Sequence, residues 1–125
     1  MTRKTERVNR TLQREIGALI TETLRDPRLP AITSVTHVEC SPDMSEARVS
    51  VSVLGTDQER TQALAALESA AGVLRRALVS RIRLKQIPRL HFRLDATMQK
   101  AADMFALMDR VAAEDRRRSR EGGPR

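Results

Sequence analysis

A chain of 125 residues, 40% hydrophobic and 31% charged, is sized for one domain with an ordinary core and leaves little room for a second. Its formal net charge of +7 makes nucleic acid the leading partner class, while a single cysteine and two histidines exclude an internal disulfide and a typical zinc site. No apolar run approaches the length of a spanning helix, which argues against a membrane partner, and the cysteine usage fits a cytoplasmic protein.

A first helix is expected over about residues 5–24. Val8, Leu12, Ile16, Leu19 and Ile20 recur there at helical spacing, and Asp26-Pro27 stops the pattern because the residue before proline avoids the helical region. Arg3, Arg7, Arg10 and Arg14 form a second stripe roughly opposite the first, with Lys4 adding to it. Glu6, Glu15 and the unbroken helical pattern argue against a removable transit segment, so these residues belong to the fold.

Ile32 to Cys40 is rich in valine, isoleucine and threonine and reads as a strand. Val35 and Val38 have opposite parity in it, which predicts a bulge or two-sided burial. After the turn chemistry of Ser41-Pro42-Asp43, Ala47, Val49, Val51 and Val53 alternate with Arg48, Ser50 and Ser52, giving a second strand and an antiparallel hairpin with one buried face. Gly55 ends that strand, and Thr56 with Glu59 has the spacing of a capping box.

From Thr56 the apolar residues Leu64, Leu67, Ala71, Leu74, Leu78 and Ile82 keep helical spacing past Ala70-Ala71-Gly72. A glycine inside such a pattern weakens a helix by roughly 1 kcal/mol relative to alanine, so two helical segments meeting at a kink or close approach are expected, the second reaching about Leu84. Pro88 opens a strand with Leu90, Phe92 and Leu94 inward and Arg89, His91 and Arg93 outward. The intervening helices make a crossover, which favours a parallel partner in the hairpin sheet.

Asp95 or Thr97 caps a final helix whose Ala101, Phe105, Met108 and Ala112 share a face expected to pack on the domain, with Met98, Met104 and Met108 filling gaps. The expected domain is 1–112. Residues 113–125, with Arg116, Arg117, Arg118 and Arg120 before Gly122, Gly123 and Pro124, are expected to form a disordered basic tail. The order of elements describes an α+β domain with helices largely on one face of a small sheet, and it does not fix the strand order.

The residues offer little chemistry beyond charge. Gly17, Gly55 and Gly72 do not fall at phosphate-cradle spacing, and His37 and Cys40, three apart on one strand, point to opposite faces. Cys40 is therefore expected to be a buried structural cysteine. Asp43, Glu46 and Asp57 do not pair, so no catalytic residue, metal, cofactor or small-molecule substrate is assigned.

What remains is basic surface. Between Val73 and Leu94 there is no acidic residue, while Arg75, Arg76, Arg81, Arg83, Lys85, Arg89 and Arg93 all fall there. Together with Arg3, Lys4, Arg7, Arg10 and Arg14 they form the expected RNA-binding surface, with His91 placed to stack or hydrogen-bond. Phe92 and Phe105 both lie in apolar patterns, which disfavours base stacking on an aromatic sheet and leaves recognition of folded RNA by backbone and shape.

Against these residues the chain resembles the ribosome-binding factor A family of bacterial small-subunit maturation factors, up to about Val111. The matching stretches are Arg7-Val8 with Glu15-Ile16, Asp26-Pro27-Arg28-Leu29, Val38 to Met44 followed by Ala47-Arg48-Val49, and Pro88 to Asp95. The resemblance implies a type II KH-like fold in which Ala70, Ala71 and Gly72 form the Ala-x-Gly helical kink that replaces the usual Gly-x-x-Gly loop. It further implies binding to the 30S subunit near its neck, contact with 16S rRNA and assistance to late maturation and processing of the precursor, without catalysis; the chain is expected to be a monomer. Two rivals are a general KH-like nucleic-acid binder and a noncatalytic adaptor that docks a protein through the final helix.

Overall fold

The structure, a computed structural model, describes residues 3–23 and 33–122, apart from the side chains of Arg3, Lys4, Met98 and Glu121. The Asp26-Pro27 helix stop, the Asp26 to Leu29 stretch, the Ile32 strand start and the Gly123-Pro124 end lie outside the described residues.

Helix α1 (Arg3–Thr23) turns the stripe read from its sequence into the core, burying Leu12, Ile16, Leu19 and Ile20, with Val8 packed at the margin. Strands β1 (Thr33–Cys40) and β2 (Glu46–Val53) form the antiparallel hairpin. Its register shifts between Val35 and His37, so Thr36 is an extra residue and both Val35 and Val38 turn toward the helices, as their opposite parity requires. Asn9 ties α1 to this hairpin by accepting the Cys40 N–H at 3.2 Å. Cys40 itself is buried, and the loss of solvent raises its thiol pKa.

Helix α2 (Asp57–Val79) starts at the expected capping box, in which the Thr56 hydroxyl accepts the Glu59 N–H at 3.1 Å and Glu59 accepts the Thr56 N–H at 3.0 Å. A Cβ on Gly55 would meet the Glu59 side chain at 3.2 Å, so glycine leaves room for the box to close. Strand β3 (Arg89–Leu94) runs parallel to β2, and the sheet order is β1-β2-β3. Helix α1 covers β1 and α2 covers β3, with Val49, Val51, Leu67, Leu74, Leu78 and Phe92 at the centre of the core.

Three expectations change. Helix α2 is one uninterrupted element through Ala70, Ala71 and Gly72, where two segments were expected. Gly72 is exposed, and a Cβ there would meet nothing within 4 Å among the described residues, so the close approach expected of it is not seen there. The helix also stops at Val79, short of Leu84, because the Leu78 carbonyl accepts both the Arg81 N–H (3.0 Å) and the Ile82 N–H (2.9 Å) and closes the last turn.

The third change concerns helix α3 (Thr97–Gly122), which crosses the expected boundary at 112 and gives residues 113–122 a helical conformation in place of disorder. Alanine, glutamate and arginine are good helix formers, no glycine or proline intervenes before Gly122, and Glu114 sits 3.9 Å from Arg118 one turn on. The face expected to pack is open. Phe105 is 66% exposed and Met108 56%, with Met104, Leu107 and Val111 also exposed, so Met104 and Met108 fill no gap. Among the described residues, α3 meets the body at its start, where the Gln99 side-chain oxygen accepts the Gly55 N–H at 3.2 Å.

Candidate nucleic-acid interface

Among the described residues the predicted cations fall into two groups: those already occupied within the protein and those left open. Arg81 is occupied. Its guanidinium lies 3.2 Å from Glu15 and 2.5 Å from Glu22, fastening the end of α2 to α1, and the hydrogen bonds to Glu22 and then Glu15 raise its pKa above the ordinary arginine value. Arg75 is half-buried, and its Nε donates to the Ile87 carbonyl at 2.9 Å, which holds the α2–β3 connection. The Nε of Arg93 donates to the Ser50 hydroxyl at 2.9 Å, and Arg14 lies 3.7 Å from Glu15.

By contrast Arg7, Arg10, Arg76, Arg83, Lys85 and Arg89 are exposed, and their side chains make no ion pair or hydrogen bond among the described residues. They do not share one surface. Arg7, Arg10 and Arg76 lie on the two helices that cover one face of the sheet, whereas Arg89 and Arg93 alternate outward on β3, toward the face those helices leave open. The side chains of Arg3 and Lys4 lie outside the described residues.

The structure does bring three segments together at one end of the domain. The first turns of α1, the Pro42 to Met44 hairpin turn and the Arg83 to Gln86 connection line a single cavity of about 550 Å³. Arg83 and Lys85 are thus open cations beside a concavity. Ala70, Ala71 and Gly72 lie elsewhere, on α2, with Gly72 and Val73 facing solvent beside Arg76.

On the open sheet face, His91 is occupied by Glu46, whose carboxylate it meets directly. That contact commits one ring nitrogen to a hydrogen bond, and the imidazole remains exposed. Arg48 was not among the expected site residues, yet it is exposed there, registered between Glu39 on β1 and His91 on β3. The alternation of Arg48 with buried Ala47 and Val49 was the signal that could have found it. No group of three or more metal-ligating side chains occurs among the described residues, and none of their helices is long and apolar enough to cross a membrane.

A family model described as ribosome-binding factor A matches residues 4–108. The ribosome-binding factor A of Thioalkalivibrio sulfidiphilus is 44% identical over 113 residues, 90% of this chain and 87% of that protein. That of Stutzerimonas stutzeri is 37% identical over 123 residues, 96% of this chain and 95% of that protein. Among solved structures, ribosome-binding factor A from Thermus thermophilus superposes with a TM-score of 0.65 at 32% identity, over 72% of this chain and 93% of that one. A Thermus thermophilus homology model fitted into the cryo-EM map of a 30S complex gives 0.60 at 33% identity, over 70% and 91%.

Proposed function

Since this chain belongs to the ribosome-binding factor A family, we propose that it is a cytoplasmic, monomeric assembly factor that binds the free 30S subunit and assists late maturation and processing of 16S rRNA. The observation that carries the 30S assignment is the relative of like fold fitted into a 30S complex. The open cations Arg7, Arg10, Arg76, Arg83, Lys85 and Arg89 support contact with RNA phosphates. No step of covalent chemistry is required. Tighter binding to one arrangement of the immature RNA than to others shifts the subunit toward that arrangement.

The test is sedimentation with separated small subunits, large subunits and joined ribosomes at two salt concentrations. Selective migration with the small subunit, weakened by combining R76Q, R83Q and K85Q and little changed by R81Q, is the expected result, because Arg81 is already neutralised inside the protein. Equal binding to every RNA-containing fraction would replace this reading with a general nucleic-acid binder. The exposed apolar face of α3 favours a second reading, a protein adaptor, which predicts no loss from the three-site variant.

A further inference from the structure

We propose that the cavity between α1, the β1–β2 turn and the α2–β3 connection receives one unpaired RNA nucleotide whose base carries an exocyclic amine, its phosphate resting on Arg83 and Lys85. This inference rests on the RNA-binding reading above and names what one part of that surface recognises.

Size and lining fit such an occupant. A volume of about 550 Å³ lies within the range of ligand pockets, about 300–1,000 Å³. Val8 from α1, Pro42 and Met44 from the turn, and Leu84 from the connection supply apolar walls against which a base can lie without an aromatic partner. Arg83 and Lys85 stand on one side, exposed and without an acidic partner among the described residues. A flat apolar body with an anionic end matches that combination.

The third component is Asp43. Its Oδ1 accepts from the Ser41 hydroxyl (2.8 Å), the Ser45 hydroxyl (2.7 Å) and the Ser45 N–H (3.1 Å), which fixes the carboxylate in the cavity wall. Oδ2 makes no hydrogen bond among the described residues and remains an acceptor. The Ser45 hydroxyl, followed by the other turn donors, holds the carboxyl at a pKa of about 2, so it is ionised at neutral pH. An ionised acceptor pairs with the exocyclic amine of adenine, cytosine or guanine; uracil has a repelling carbonyl where cytosine carries its amine, and only its ring N3–H to donate. Met44 completes the turn at φ 63, a left-handed conformation that non-glycine residues seldom adopt, which points the chain back into β2 and keeps its side chain against the core.

The experiment follows the methyl resonances of Val8, Leu84 and Met44 while the full chain is titrated with AMP, CMP, UMP or inorganic phosphate. AMP and CMP are expected to shift all three residues with millimolar affinity, UMP to bind several-fold more weakly, and phosphate to leave the methyls unmoved. Combining R83Q and K85Q, both exposed positions, is expected to abolish the AMP shifts while the remaining spectrum shows an intact fold. Absence of methyl shifts with any nucleotide, equal shifts with UMP, or reproduction of the pattern by phosphate alone would overturn the proposal. Because the probes are mononucleotides, such a failure leaves binding to the small subunit to be judged separately by sedimentation.

Discussion

Replacing Gly72 by alanine separates a backbone requirement at that position from a surface requirement. The residue lies inside α2, is exposed, and offers an added Cβ no contact within 4 Å. Alanine is favoured over glycine in a helix interior by about 1 kcal/mol, chiefly because the unfolded chain loses less freedom. With no clash to set against it, G72A should raise the unfolding midpoint by about 4 °C in a domain of this size. G72V should fall within about 0.5 kcal/mol of the parent, since branching at Cβ costs much of what removing glycine gains. Thermal and urea unfolding followed by circular dichroism measure both. A lower midpoint for G72A would refute the reasoning and restore a kink or close approach that the continuous helix does not require. A higher midpoint with weaker small-subunit binding would assign Gly72 to the RNA surface beside Arg76.

L74A removes a fully buried side chain from the centre of the core and should cost about 3 kcal/mol, read as a lower urea midpoint at unchanged slope. F105A combined with M108A should leave stability within about 0.5 kcal/mol of the parent, because both side chains are mostly exposed; a large loss would mean that α3 folds back on the body. Asp95 accepts from the Thr97 N–H at 3.0 Å and from the Thr36 hydroxyl at 2.8 Å, and these bonds, the Thr97 backbone first, lower its pKa to about 2. Its contribution is therefore complete above an unfolded value of about 3.9 and is lost as pH falls through about 2. D95N should flatten the acid limb of the urea midpoint in that window, and an unchanged limb would exclude the contact.

Patterns whose cause is local were readable in the chain. The capping box at Thr56 and Glu59 and the alternation of β2 need only neighbours in sequence, and the Thr36 bulge follows from two valines of opposite parity. The end of α2 was not readable, since Ile82 and Leu84 continue the apolar spacing yet reach the core from the connection after the helix has closed on Leu78. Nor was the fate of α3: its amphipathic spacing specifies a face and not what covers it. The candidate surface was legible as a set of cations but not as an arrangement. Arg81 meets acids 66 and 59 positions away, and Arg75 meets a carbonyl 12 away, contacts that charge counting along the chain does not reveal.

The occupied arginines give the open ones their positions. Arg75 holds the Ile87 carbonyl, and the segment thereby fixed carries Arg83 and Lys85 into the cavity wall. Arg81 fastens α1 to the end of α2 through Glu15 and Glu22, which sets the helix whose first turns form the opposite wall. Side chains in such roles add few phosphate contacts, yet they reduce the ordering that binding would otherwise require, because the segments bearing the open charges are already placed. A substitution at Arg75 should then act through the placement of Arg83 and Lys85, and a substitution at those two through the RNA itself. A basic stretch that reads as one uniform charge run is, in the folded chain, a frame and the surface mounted on it.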